Sequence, residues 1–234
     1  MAVDLSPTPD VADLVDRTTA FVRDVVIPLE ERHGGVARTE DVRTELQRAA
    51  KDAGVFAPHV SPEYGGHGLD MRGRAAVFEA AGYSLFGPLA LNIAAPDEGN
   101  MHMLEAIATD EQKEEYLRPL ATGEVRSCFA MTEPAPGAGS DPNALATVAE
   151  REEGGWRING RKWFITGADG AAYAICMART SGGDGGAGAT MFLVDLPNPD
   201  VGLVRQIDTL DSAFSGGHCE LRFEDVRVPV SNLI

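Results

Sequence analysis

From Asp10 to His33 the apolar residues Val11, Leu14, Val15, Phe21, Val22, Val25, Val26 and Leu29 return at three- and four-residue steps. That spacing is the stripe of an amphipathic helix packed on a core. Thr39, followed by Glu40 and Asp41, is the expected N-cap of a second helix, which Gly54 ends after Ala53. "SPEYGGHG" (61–68) interrupts the pattern, 70–86 and 89–108 read as helical again, and "TDEQ" (109–112) is the expected capping box for a helix through 113–117. After Gly123 the period changes to short alternating or wholly apolar runs bounded by glycine: "VRSCFAMT", "ALATVAERE", "WRING", "RKWFITG", "AAYAICMART", "TMFLVDL", "GLVRQI" and "CELRFEDVRVP". Asn159-Gly160 predicts a two-residue hairpin turn, because a type I′ turn needs positive φ at both centres. "SGGDGGAGA" (181–189) reads as a flexible hairpin loop rather than a phosphate cradle, since no helix follows to supply a dipole. The expected fold is therefore α+β, with an all-α domain over 1–124 followed by a small β-barrel or sandwich over 125–234.

Composition narrows the partners. A net charge of -16 opposes attraction to phosphate backbones and anionic lipid, which argues against nucleic acid and membrane surfaces. The opening MAVDLSPTPDV has neither a basic start nor a long apolar block, so a cytoplasmic location is expected. Cys128, Cys176 and Cys219 are scattered, as reduced buried thiols are. His33, His59, His67, His102 and His218 show no metal-ligand spacing and suggest no Ser-His-Asp arrangement.

Candidate chemistry gathers after Cys128. In "CFAMTEPAPGAGSDP" Phe129 and Met131 should share one side of a strand and Ala130 and Thr132 the other. Pro134 and Pro136 stiffen the loop, while Gly137 and Gly139 leave backbone open to an oxygen-rich group such as a pyrophosphate. An ordinary turn held by Ser140 and Asp141 is the competing reading. "RKWFITGAD" (161–169) places two aromatics beside a hydroxyl, Thr166, which suits a flavin ring; core filling by Trp163 and Phe164 is the alternative. Glu133 and Asp141 read as loop anchors, and Asp97 and Glu98 as solvated or helix-turn acids.

Together "MTEPAPGAGSD", "INGRKWFITGA", "FEDVRVPVSNLI" and "YGGHG", in that family's order and spacing, resemble the acyl-CoA dehydrogenases over the whole chain. "APDEGNMHML" (95–104) further resembles the subgroup that includes larger fused members. The resemblance implies FAD lined by Phe129, Met131 and Thr132, with Thr132 at the pyrimidine end and Gly139 and Ser140 at the pyrophosphate or the neighbouring substrate carbonyl. It places Phe164 over one flavin face, where the family usually has tryptophan, and Thr166 near the central ring nitrogen. The first motif carries two extra residues around Ala135-Pro136.

The implied activity is α,β-dehydrogenation of an acyl-CoA, with electrons passed to an electron-transfer flavoprotein. The family's C-terminal four-helix domain, which carries the glutamate base in most members, is expected to be missing, so the catalytic residue is unknown and a homo- or hetero-oligomer is expected. A non-catalytic scaffold subunit that keeps the fold is the rival class, and an oxidase or monooxygenase on the same fold is a third. Phe78, Tyr83, Leu85 and Met103 are candidate acyl-pocket residues, with core packing as the alternative.

Overall fold

The computed structural model describes residues 6–35, 39–181, 187–210 and 215–234. Thr8 caps α1 (Pro9–Phe21), which runs on through a π-helical turn, Val22–Val26, into α2 (Ile27–Arg32). The wide turn lies where it does because Pro28 cannot donate to the carbonyl one turn back, and Ile27 N–H instead reaches Val22 O. Thr39 stands at the cap position of α3 (Glu40–Asp52) with extended backbone, but its side chain makes no capping bond.

Two expected helices are shorter than the apolar pattern suggests. Asp70 caps α4 (Met71–Ala81), which ends at Gly82 because the chain must turn back over it. A Cβ on Gly87, the first residue of α5 (Gly87–Ala90), would lie 1.9 Å from Ala81 O. The 89–108 stretch breaks at Pro96, which disfavours a helical residue before it, and α6 covers only Asp97–Ile107. The capping box is present in full at α7 (Asp110–Gln112). A second π turn, Lys113–Leu117, precedes α8 (Arg118–Ala121), again just ahead of a proline, Pro119.

The strands are β1 (Ser127–Ala130), β2 (Val148–Glu152), β3 (Gly155–Thr166), β4 (Tyr173–Ser181), β5 (Ala187–Asp195), β6 (Val201–Gln206) and β7 (His218–Pro229). Among the described residues they form one curled sheet, ordered β1-β4-β2-β3-β7-β6 with β5 on β4, rather than the two sheets of a sandwich. The expected Asn159-Gly160 hairpin is absent. Both residues lie inside β3, with neither at positive φ, and the two-residue turn is Glu153-Gly154, with Gly154 at φ 81°. Gly160 is needed for a close approach instead, since a Cβ there would sit 2.3 Å from Thr147 Oγ1. Asn159 exchanges hydrogen bonds with Asp225 of β7, a left-handed residue at φ 54°. The glycine-rich connection between β4 and β5 falls at 182–186, outside the described residues.

One core cluster lies among the helices and also takes in Tyr173, Ile175 and Leu193 from β4 and β5, and the other lies within the sheet around Trp156, Phe192 and Phe223. Polar ties cross between the halves. Arg126, at the entry to β1, donates to Glu40 Oε1 at 2.5 Å, and Asp97 accepts from Ser127 N and Oγ at 2.9 and 2.6 Å. Among the described residues no helix is long and apolar enough to cross a membrane.

Candidate flavin-facing site

β1 enters the sheet parallel to β4, and its side chains divide as strand alternation requires: Cys128 and Ala130 go into the sheet core while half-buried Phe129 packs against the helical cluster. Beyond Ala130 the chain leaves β4 and runs beside β3. Trp163 N donates to Thr132 O at 2.9 Å, and Lys162 Nζ donates to Met131 O at 2.9 Å. The two motifs, some thirty positions apart in sequence, thus become neighbours.

Glu133 organises the loop that follows. Its carboxylate is 1% exposed and accepts from Lys162 Nζ at 2.9 Å, Ala146 N at 2.7 Å, Thr147 N at 2.8 Å and Ala138 N at 3.1 Å. Burial alone would push this carboxyl up, but the donors of Thr147, Ala146 and Lys162 outweigh it and hold it at about 2. Glu133 N donates to Gly139 O at 2.9 Å, pinching the loop closed. Gly137 is required inside the pinch, because a Cβ there would lie 2.6 Å from Glu133 Oε2. Gly139, at φ 59°, has nothing within 4 Å of where a Cβ would be, so its backbone is open. Ser140 is exposed, and Asp141 accepts from Asn143 N at 2.9 Å to cap the short turn that follows.

At the end of β3 the pairing with β7 slips between Lys162 and Ile165. The irregularity turns Lys162 fully inward and throws Phe164 out at φ 53°, with its side chain 47% exposed. A left-handed phenylalanine costs about 1–2 kcal/mol, and an exposed ring held there at that cost marks a functional position more than a packing one. The Trp163 ring lies 4.9 Å from it, tilted by 59°. Half-buried Thr166 has its Oγ1 3.0 Å from His218 Nδ1. Arg126 then fixes the next turn by donating to Gly167 O and Asp169 O, both at 2.7 Å.

Of the residues expected from sequence, Met131, Thr132 and Gly139 therefore gather with Phe164 around the Trp163–Thr132 bond, Thr166 lies further along the same strand, and Ser140 sits just past the pinch. Phe129 forms the boundary toward the helices. Sequence reasoning passed over Lys162, Arg126 and His218. A lysine between aromatics in an otherwise apolar strand was a usable signal for Lys162, because an inward charge needs a buried partner. Asp97 is a helix-turn acid, the first residue of α6, and not a solvated one: burial pushes it up, and its Oδ1 accepts from Ser127 N and Oγ. Phe78 and Met103 pack on the helical core, while Tyr83 and Leu85 are exposed.

These residues suit a flavin: an exposed aromatic for a ring face, threonine hydroxyls and an uncovered glycine backbone for polar atoms.

The family model for the acyl-CoA dehydrogenase N-terminal domain matches residues 8–124, and that for the middle domain matches 128–226. The chain is 40% identical over 195 residues to "Probable acyl-CoA dehydrogenase FadE2" of Mycobacterium tuberculosis, covering 81% of this chain and 47% of that protein. It is 35% identical over 233 residues to acyl-CoA dehydrogenase family member 11 of Gallus gallus, covering 92% of this chain and 29% of that one. Among solved structures, a Mycobacterium abscessus protein described as an acyl-CoA dehydrogenase superposes with a TM-score of 0.86 at 32% identity, covering 98% of this chain and 61% of that one. PigA in its FAD complex superposes with a TM-score of 0.81 at 26% identity, covering 99% and 59%. The chain thus spans about half the length or less of the two curated relatives. It belongs to the acyl-CoA dehydrogenase family, of which this sequence carries the N-terminal and middle domains.

Proposed function

We propose that this chain supplies the flavin-facing wall of a cytoplasmic acyl-CoA dehydrogenase. The observation that carries the reading is Phe164, held half-exposed in left-handed backbone beside the Thr132–Trp163 contact. Phe164 would cover one face of FAD, Thr132 and Thr166 would offer hydroxyls to its ring, and Gly139 and Ser140 would meet its phosphates or the thioester carbonyl, with Phe129 and Met131 lining the apolar side. Bound there, FAD would supply the acceptor for the β-hydride of an acyl-CoA, with an electron-transfer flavoprotein as the proposed partner that takes up the electrons.

Removing the α-proton needs a carboxylate whose lone pairs are free and whose pKa lies near the working pH. Glu133 fails on both counts, being saturated with donors and held at about 2, and Asp97 is engaged by Ser127. The base is therefore proposed to come from outside these residues. The same observation favours a second reading, a scaffold subunit that keeps the fold without chemistry.

The visible absorption spectrum of the purified 234-residue chain, recorded after adding FAD and removing the excess, tests the flavin wall. A retained and shifted flavin band is expected, and its absence refutes a flavin wall that forms within this chain. Exposed Leu203, Val204 and Leu210, in and beyond β6, support a homo- or hetero-oligomer. A clean monomer on size exclusion counts against it.

A further inference from the structure

On the helical half, a cavity of about 330 Å³ opens between the 57–69 loop, α4 and α6. It shares no residue with the 129–166 site. Arg74 spans it: its Nε donates to Leu69 O at 2.8 Å, one Nη donates to His59 O at 2.9 Å, and the other Nη lies 3.5 Å from His102 Nδ1. A guanidinium has five N–H groups, so two remain for another partner. Among the described residues Arg74 forms no ion pair, although it is half-buried.

His59 closes the cavity floor. Its ring is 2% exposed, packs edge-on against Phe78, and has no hydrogen-bond partner on either nitrogen. Burial, reinforced by the neighbouring Arg74 guanidinium, pushes it down to about 4, so at neutral pH it carries one N–H donor and no charge. Ser61 adds a hydroxyl to the lining, and Glu105, one turn after His102 on α6, adds a carboxylate. An unpaired, half-buried cation beside an orphaned imidazole is what a small anion completes. With Glu105 offsetting the charge of Arg74, a dianion gains little there.

We propose that this cavity binds a small, singly charged carboxylate between the free edge of Arg74 and the Ser61 hydroxyl, above His59. A planar carboxylate takes two parallel N–H groups from a guanidinium, and a phosphate dianion meets Glu105 unfavourably.

The test titrates the 234-residue chain with sodium propionate and, separately, with inorganic phosphate, following the histidine ring resonances by NMR. Saturable propionate shifts confined to His59 and His102 are expected at millimolar concentration. Ser61→Ala, whose backbone bonds are untouched, should weaken binding several-fold, and Arg74→Gln by roughly 10-fold or more, as loss of a charged hydrogen bond implies. Saturation by phosphate without propionate overturns the carboxylate assignment. No saturable shift with either anion, or unchanged affinity in both variants, overturns the site.

Discussion

Replacing Lys162 with methionine removes a cation of about the same length from a fully buried position and leaves Glu133, 1% exposed, without its counter-charge. Breaking one side of a buried pair costs about 3–5 kcal/mol. Three backbone N–H groups still hold the carboxylate, so the lower end, about 3 kcal/mol, applies. Glu133 is held at about 2 against an ordinary 4.5 by Thr147, Ala146 and Lys162 together, against the upward push of burial, so Lys162 supplies only part of that depression. The sign follows from which state binds the proton: the folded pKa is depressed, so the stabilisation is whole above pH 4.5 and fades as pH falls toward 2. Urea unfolding of Lys162→Met followed by circular dichroism should therefore show the full loss at neutral pH and a smaller one in acid, where Glu133 takes up a proton. A loss below about 1 kcal/mol at neutral pH, or one that does not change with pH, refutes the argument that this pair holds the loop.

Phe164→Gly relieves the left-handed backbone and should leave stability level or raise it by up to about 1 kcal/mol, yet abolish retention of the flavin band; retained FAD would show that the ring is not a flavin wall. Gly137→Ala drives a methyl to 2.6 Å from Glu133 Oε2 and should lower the melting temperature while the same change at exposed Gly99, with nothing nearby, does not. His59 is held at about 4 against 6.5, so its unfolded form binds the proton first and stability should fall by about 3 kcal/mol as pH drops from 6.5 toward 4. His59→Leu should flatten that slope in a pH series of melts, and an unchanged slope places the titration elsewhere.

Hydrophobic periodicity and local chemistry were enough for the parts of this protein that depend on near neighbours in the chain. The change from a helical to a strand period after Gly123, the Thr109–Gln112 capping box and a helix within the 70–86 stretch, though one that ends at Ala81, are all readable because their hydrogen bonds close within a few residues. The family motifs stand out for the same reason, as stiff proline, open glycine and hydroxyl types in a short span, while the flavin roles of their residues rest on the proposal above. What sequence missed depends on contacts far along the chain. Asn159-Gly160 satisfies every local requirement of a hairpin, but Thr147, just ahead of β2, and Asp225 of β7 approach it and hold it extended, and pairing over twelve residues of β3 outweighs one turn preference. The left-handed Phe164 comes from a register slip against β7 that no local pattern records. Lys162 reads as a surface charge until Glu133 and the Met131 carbonyl are folded against it. Elements follow from interactions the chain makes with itself within a turn or two; the proposed flavin wall follows from strands that meet only when the sheet curls.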